Sequence, residues 1–512
     1  MKTTKAGSAY SRLHRFGAFA LALGMAGSLM ACTGGGKDTS STPDSGSSSS
    51  TVNTGNIKEV RFGSHYIATW DPSYRDEVTG ETIVSPEQME VIETATKAVK
   101  DQLGVDIKWV QWTHGVGEDL LPSVLSGEPI CDLAMISCAS QGGIIEQGII
   151  RDLTPFTDIF TGSEDTSWML MDSIFGKRMF LNFELSFFRT GPLLFNINYI
   201  EQVDALKENG KTVYPTDLYK QGKWTWSVFQ DYLTKIKAYY ADKGGPIRPE
   251  KMINAYETDY RFAVRAAMVS NGVSIYGKNG FDDCTTPEAI QAVNFIKTLA
   301  DKKLMISELE NGLMPGFTWS DNNFGNGESV FIDSAIWLVS SAGSRLAARG
   351  ESLGIVPWPR PDSLSADDAK YQQVSTPNDS FVLLKGVPDE QARVALEAYK
   401  IYYEAYYKAK SGGTKAMDFF SDANAEKEAL ANNLDIYHAA IGNDILDIFK
   451  TYCPMNYNDY SNMLSQMTGF TMIAGAAMYD EEGSSYEVGI AENIGALKEA
   501  IGKIEAAAQK VN

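Results

Sequence analysis

The sequence predicts an α/β protein of two lobes, and three observations carry that prediction. The chain has 512 residues, too many for one compact core once its ends are set aside. At the start of the folded part a short strand, a capped helix and a second strand follow one another, which is how a parallel α/β layer opens. Short apolar strands and amphipathic helices then alternate to the far end, with no tandem repeat and no heptad array long enough for a coiled coil.

Glu59 to Gly63 read as the first strand, followed by a polar loop holding His65, Tyr66, Trp70 and Asp71. Ser85-Pro86-Glu87-Gln88 then opens a helix, with a capping-box spacing and a proline in the first turn. Met89, Ile92, Thr96, Val99 and Leu103 recur at helical spacing and Gly104 ends the run. Val105 to Val110, Asp132 to Ser137 and Pro192 to Ile197 read as further strands. Thr225 is placed to cap a helix whose apolar stripe is Trp226, Phe229, Leu233 and Ile236, so Trp224 and Trp226 read as core. Tyr399, Tyr402, Tyr403, Tyr406 and Tyr407 likewise read as helix packing. After Thr286-Pro287-Glu288, Ile290, Val293, Ile296 and Leu299 mark a helix, with Lys302 and Lys303 near its end where the macrodipole favours them. A last helix sets Ile490, Ile494, Leu497, Ile501 and Ile504 on one face.

Residues 1–31 carry Lys2, Lys5, Arg12 and Arg15, no acid, and then the apolar stretch Phe16 to Ala31. That is the form of an export signal. The stretch falls short of the roughly 20 residues a membrane-spanning helix needs, and Gly17, Gly24 and Gly27 weaken it, so it reads as a cleaved signal. Its end, Leu29-Met30-Ala31-Cys32, resembles the bacterial lipoprotein signal, in which the cysteine is lipidated and becomes the new N-terminus. Met30 departs from the small residue usual there, and an ordinary secretory signal with Cys32 incidental is the competing reading. Residues 32–56 are rich in Gly, Ser and Thr and read as a flexible tether.

Acids outnumber bases, 65 to 45, for a formal charge of −20. Loss of the first 31 residues would leave 41 bases and a charge of −24. Nucleic acid is excluded as a partner, because phosphate binding needs basic patches, and adhesion of the lobes themselves to anionic lipid is excluded by the same sign. Besides Cys32 there are Cys131, Cys138, Cys284 and Cys453. Their pairing is open, with free buried thiols expected, since Cys131 and Cys138 sit on one strand and its loop, too far apart to bridge. No cofactor or metal is expected: zinc would want close C-x-x-C pairs or histidine partners. Asp321-Asn322-Asn323 and Asn456 to Asp459 lack the spacing of a calcium loop and read as turns. Three histidines remain beyond the signal, His65, His114 and His438, none in a metal motif, and there is no G-x-S-x-G and no P-loop. The chain therefore reads as a non-enzyme, although a glycosidase would need only two carboxylates.

Several stretches, in order, resemble one family, the extracellular solute-binding proteins of carbohydrate ABC importers, the maltodextrin-binding-like group. They are Leu194-Phe195-Asn196-Ile197-Asn198-Tyr199-Ile200, Pro215 to Tyr219, Gly222-Lys223-Trp224-Thr225-Trp226-Ser227-Val228-Phe229, Phe324 to Ile332 with Trp337, and Leu353 to Pro359. The resemblance implies a periplasmic-binding-protein-like fold with the ligand in a cleft between lobes joined by several crossing segments. It implies a first lobe over 57–193, a second over 194–331, a return to the first over 332–378, and the second lobe with C-terminal helices over 379–512. The implied function is capture of a sugar or oligosaccharide outside the cell for the permease subunits of an ABC importer, by a monomer held to the membrane only through the Cys32 lipid. A secreted glycoside hydrolase and a sensory or adhesive carbohydrate receptor are the alternatives.

A sugar site combines flat aromatics for the C–H faces with carboxylates and amides for the hydroxyls. Trp337 is the foremost candidate, matching the family's cleft tryptophan and lying among Ser334, Ser340 and Ser341. Trp70 and Asp71 follow the first strand at its carboxyl end, where open α/β sheets bind ligands. Trp112, His114, Gln141, Tyr260, Trp319 and Trp358 are further candidates, and Asp379 lies near an expected lobe crossing.

Overall fold

A computed structural model describes residues 54–75, 82, 84–112, 118–137, 140–185, 192–249, 252–258, 260–276, 281–307, 321–333, 336–373, 379–435, 438 and 485–512. In chain order, β1 (Glu59–Ser64), helix α1 (Pro86–Leu103), β2 (Asp106–Gln111), β3 (Leu133–Ile136) and helix α2 (Gln141–Gln147) come first. Then follow β4 (Leu193–Asn196), the hairpin β5 (Lys207–Glu208) and β6 (Lys211–Thr212), helix α3 (Trp226–Tyr240), β7 (Asn254–Thr258) and helix α4 (Tyr260–Ser270). Helix α5 (Pro287–Asp301), β8 (Met305–Ser307), β9 (Ser329–Asp333), helix α6 (Ile336–Ala348) and β10 (Leu353–Val356) continue the second group. β11 (Ser380–Leu383), helix α7 (Asp389–Ser411) and helix α8 (Tyr486–Ala508) complete the order.

Local chemistry explains these elements. Ser85 Oγ accepts the Gln88 N–H at 3.2 Å and Pro86 fills the first turn of α1. Gln88 does not complete a reciprocal box: its side-chain amide donates instead to the Tyr406 hydroxyl at 2.7 Å, tying α1 to α7. Gly104 ends α1 in the left-handed conformation, φ 70°. Thr225 and Thr286 cap α3 and α5 as their positions predict. Trp224 and Trp226 are core residues, and each indole N–H is satisfied by a backbone carbonyl, of Pro357 and Pro359.

Two sheets result. The first has the order β11-β3-β1-β2, with β1 parallel to β2 and β3 and with β11 antiparallel to β3. The second has the order β10-β4-β9-β7-β8, in which β7, β8 and β9 run parallel and β4 runs antiparallel to both β9 and β10. Helices α1 and α7 pack on one another over the first sheet, and α3, α4 and α5 build the second lobe.

The strand pairings correct the expected segment boundaries. The stretch 332–378 does not return to the first lobe, because β10 pairs with β4 in the second sheet. Nor does 379 open a second-lobe segment: β11 joins β3 in the first sheet, and α7 packs there with α1. The chain is back beside the second sheet at Leu434, which bridges Leu353. Both β10 and β11 are buried on both faces, and an all-apolar strand does not announce which sheet it will enter.

The first lobe is filled by aromatics. Phe62 of β1 and Trp109 of β2 meet Tyr399 and Tyr402 of α7 at centroid distances of 6.3 and 5.9 Å. The hydroxyls of Tyr399, Tyr402 and Tyr403 are buried without a hydrogen-bond partner among the described residues, and burial pushes the ionisation of all three well above the ordinary tyrosine range. An unsatisfied buried hydroxyl costs about 1–3 kcal/mol. Tyr402→Phe keeps the ring and removes that cost, so the unfolding midpoint should hold or rise. A clear fall in denaturant titration would show that this hydroxyl is bonded in the folded protein.

Candidate functional site

Two of the crossings between lobes, into β4 and into β11, fix where the sheets present their ends. Leu193, which opens β4, lies opposite both Asp333 and Val356, so the carboxyl ends of β9 and β10 sit where the chain enters the second lobe. Ser380, which opens β11, faces Ile136, which sets the carboxyl ends of β3 and its parallel neighbour β1 at the return crossing. Both sheets thus turn their carboxyl ends toward the junction.

At the first-lobe end, Ser64 shapes the exit of β1. Its hydroxyl accepts the Tyr66 N–H at 2.9 Å and contacts Met135 Sδ at 3.4 Å, and its carbonyl accepts the Trp112 N–H at 3.4 Å. The turn sets the His65 ring against Tyr66, tilted by 52° with centroids 4.0 Å apart, and edge-on to Trp112 at 5.1 Å. Burial lowers the His65 pKa, so near neutral pH one ring nitrogen donates and the other accepts. Tyr66 is 53% exposed; partial burial and the Asp379 carboxylate raise its phenol pKa. Gln141 opens α2, fully buried, with its amide N–H donated to Ser380 Oγ at 2.8 Å. Three polar atoms on this rim are buried without partners among the described residues: His65 Nδ1, Trp112 Nε1 and Gln141 Oε1. They comprise a donor, an acceptor and an imidazole that can serve as either, beside an exposed aromatic face.

At the second-lobe end, Asp333 closes β9 and accepts from the Tyr256 and Thr258 hydroxyls of β7. Burial first and the Asp333 charge second hold Tyr256 protonated. Helix α6 starts at Ile336, directly beyond, and Trp337 lies in its first turn; Tyr260 begins α4 just after β7. Both backbones therefore stand at strand carboxyl ends. The side chains of Trp337 and Tyr260, and the whole of Trp319 and His114, lie outside the described residues.

Of the sequence-predicted candidates, the structure brings Trp112, Gln141 and Asp379 to one rim. It sends three others elsewhere. Trp70 packs among Trp109, Phe183, Tyr403 and Tyr406, at centroid distances of 5.7 to 6.3 Å, and belongs to the aromatic filling of the first lobe. Asp71 closes a turn, accepting from the Ser73 N–H at 2.8 Å and hydroxyl at 2.7 Å. Trp358 is 1% exposed, packed on Phe229 and Tyr256 in the second-lobe core. His65 and Tyr66 were not singled out from the sequence, although their place right after a strand was the signal available.

Cys131 and Cys284 are buried, the Cys284 thiol donating to the Ile275 carbonyl at 3.1 Å, and burial pushes the Cys131 thiol up to about 12; Cys138 and Cys453 lie outside the described residues. No group of three or more His, Cys, Asp or Glu side chains among the described residues could hold a metal ion. No described helix is long and apolar enough to cross a membrane.

No protein-family model matches the chain, and no curated protein matches it. Solved structures do match. The GacH receptor of Streptomyces glaucescens, determined unliganded and with acarbose, is 12% identical and superposes with a TM-score of 0.52 over 87% of this chain and 99% of that one. UgpB of Mycobacterium tuberculosis, in complex with glycerophosphocholine, gives 0.54 at 14% identity, covering 82% and 96%. The ABC transporter associated binding protein of B. animalis subsp. lactis, in complex with β-1,6-galactobiose, gives 0.52 at 16% identity, covering 88% and 98%. The chain has the two-lobed fold of these substrate-binding proteins. These matches reach nearly the full length of each binding protein, so the fold is shared across both lobes.

The rim geometry makes a pH-dependent prediction. A carboxylate beside a phenol disfavours the phenolate, so Asp379→Asn should lower the Tyr66 pKa. Tyrosine-selective NMR titration, with Tyr66→Phe to assign the signal, checks it; an unmoved pKa would mean that Asp379 does not face Tyr66.

Proposed function

We propose that this chain is the ligand-capturing, non-catalytic component of a carbohydrate ABC importer, taking a sugar or oligosaccharide between its lobes and handing it to permease subunits. The observation that carries this reading is the set of unpartnered polar atoms on His65, Trp112 and Gln141 beside the exposed Tyr66 ring. Leaving such atoms buried and unpaired is costly, and a polyhydroxyl ligand supplies both the donors and the acceptors they lack. Tyr66 offers the flat face for a pyranose. Two of the structural relatives are described in complex with acarbose and β-1,6-galactobiose. UgpB is described with glycerophosphocholine, a zwitterion whose phosphodiester wants a cation and whose quaternary ammonium suits an aromatic face beside a carboxylate.

Micromolar affinity corresponds to about −8.2 kcal/mol, while one stacking contact contributes about 0.5–1.5 kcal/mol. Several contacts must therefore converge, and we assign Trp337, at the start of α6, to the opposing wall. A ligand touching both walls favours the closed arrangement by as much as it binds that arrangement more tightly. Outside the lobes, the Cys32 lipid and the Gly/Ser/Thr tether hold the protein at the outer face of the membrane.

Calorimetric titration over a panel of oligosaccharides tests the capture. Tyr66→Ala should weaken binding about 5- to 150-fold, or about 1–3 kcal/mol, with near-normal unfolding because the ring is more than half exposed. Trp337→Ala should act in the same direction. The reading fails if no carbohydrate binds, or if a bound one is cleaved on prolonged incubation and one carboxylate substitution abolishes the cleavage. For the anchor, Cys32→Ala should release the protein from the membrane fraction or leave its precursor unprocessed. Fatty-acid labelling of the unaltered protein that finds no lipid would remove the tether from this account.

A further inference from the structure

Helix α8 touches both lobes. Its first half is docked on the second lobe: the buried Tyr486 hydroxyl donates to the Cys284 carbonyl at 2.7 Å, and Lys498 pairs with Asp282. Those partners precede α5, which packs on α4. Its far end is docked on the first lobe. There α8 packs on α2, Gln509 donates to the Phe175 carbonyl at 2.8 Å, and the Asn512 carbonyl accepts the Asp152 N–H at 3.2 Å. Asp152 follows Arg151, whose N–H bonds to Leu383 of β11, so this anchorage is part of the first sheet's own surroundings. Ile501, Ile504, Ala508 and Val511 are buried along that end.

The helix is continuous over 23 residues, roughly 35 Å at 1.5 Å per residue. Gly495 stands between Tyr486 and Lys498 and Gly502 between Ile501 and Ile504, and an added Cβ at either would meet nothing within 4 Å. Packing does not require glycine at either place, and a glycine in a helix interior costs about 0.5–1 kcal/mol relative to alanine. The two glycines are thus where α8 bends at least cost, one in each of the two parts that dock on different lobes.

We propose that α8 is an elastic strap between the lobes that limits how far they separate, flexing at Gly495 and Gly502. It adds to the two crossings at the strand ends a tie that is not part of either sheet. Because α2 begins with Gln141, the strap's first-lobe anchor is the same helix that supplies the cleft rim. A change in separation is therefore transmitted to the rim through a packed helix rather than a loop.

The test is an interlobe distance distribution from electron–electron resonance in the ligand-free, full-length chain, so its outcome does not depend on which ligand the cleft takes. Spin labels on unnatural residues at the exposed positions Glu93 in α1 and Ala238 in α3 leave the cysteines untouched. A strap fails when either end is released. Ending the chain after Ala500, which removes the buried Ile501, Ile504, Ala508 and Val511 together with Gln509 and Asn512, frees the first-lobe end, and Tyr486→Ala with Lys498→Ala frees the other; both should widen the distribution and shift it to longer distances to a similar extent. Gly495→Ala with Gly502→Ala, which keeps both ends docked, should narrow it, and stands as the test if a release variant does not fold. The proposal is overturned if the release variants leave the distribution unchanged, if only one of them alters it, or if the alanine pair does not narrow it.

Discussion

Two crossings between the lobes each run into a buried antiparallel strand, β4 and β11, and the rest of the architecture depends on that constraint. β4 inserts between β9 and β10 and β11 closes the edge beside β3, so each sheet takes in a strand that has come directly from the other lobe. A strand buried on both faces must satisfy its backbone groups by pairing, and its first residue then fixes which strand ends lie at the junction. The carboxyl ends of the parallel strands are brought there in both lobes, and those ends carry the side chains that the strands cannot bury. The cleft is a consequence of strand order, not a separate feature added to it.

Buried charge follows the same economy. Asp132, fully buried before β3, is satisfied by the Arg61 backbone and guanidinium at 2.8 and 2.7 Å and by the Gln391 amide at 2.8 Å. This binds β1, β3 and α7 away from the rim, and breaking one partner of such a group is expensive because the charge stays buried. Gly63 of β1 belongs with it: an added Cβ would lie 2.5 Å from Cys131 Sγ, so only glycine lets the two segments meet. Among the described residues, polar atoms are buried without partners both on the rim, at His65, Trp112 and Gln141, and in the cores, at Tyr402 and Trp358.

Much of the fold was legible because its signals are local. Caps at Ser85, Thr225 and Thr286, the stop at Gly104 and the stripes of α3, α5 and α8 depend on residues a few positions apart. Sheet membership is not local. β10 and β11 are both short and wholly buried, so their sequences look alike while their partners lie in different lobes. The site divides in the same way. Trp112, Gln141 and Asp379 were readable as polar or aromatic residues near strand ends. Where Trp70 and Trp358 pack was not legible, because an indole packs as well in a core as on a cleft wall, and their neighbours in space, Tyr403 and Tyr406 or Phe229 and Tyr256, are distant in sequence. Asp71, in a turn of its own making, shows that a carboxylate beside a tryptophan is more often a cap than a ligand hand.

The central claim is that one carbohydrate is held between the carboxyl ends of both sheets. Hydrogen–deuterium exchange, with and without a saturating oligosaccharide, tests it most directly. The account predicts slowed exchange in two separated groups at once: Ser64 to Tyr66, Trp112, Ser140 to Gly142 and Asp379 to Ser380 in one lobe, and Asp333 with the first turn of α6 in the other. Protection confined to a single lobe, or lying away from the strand ends, would contradict it.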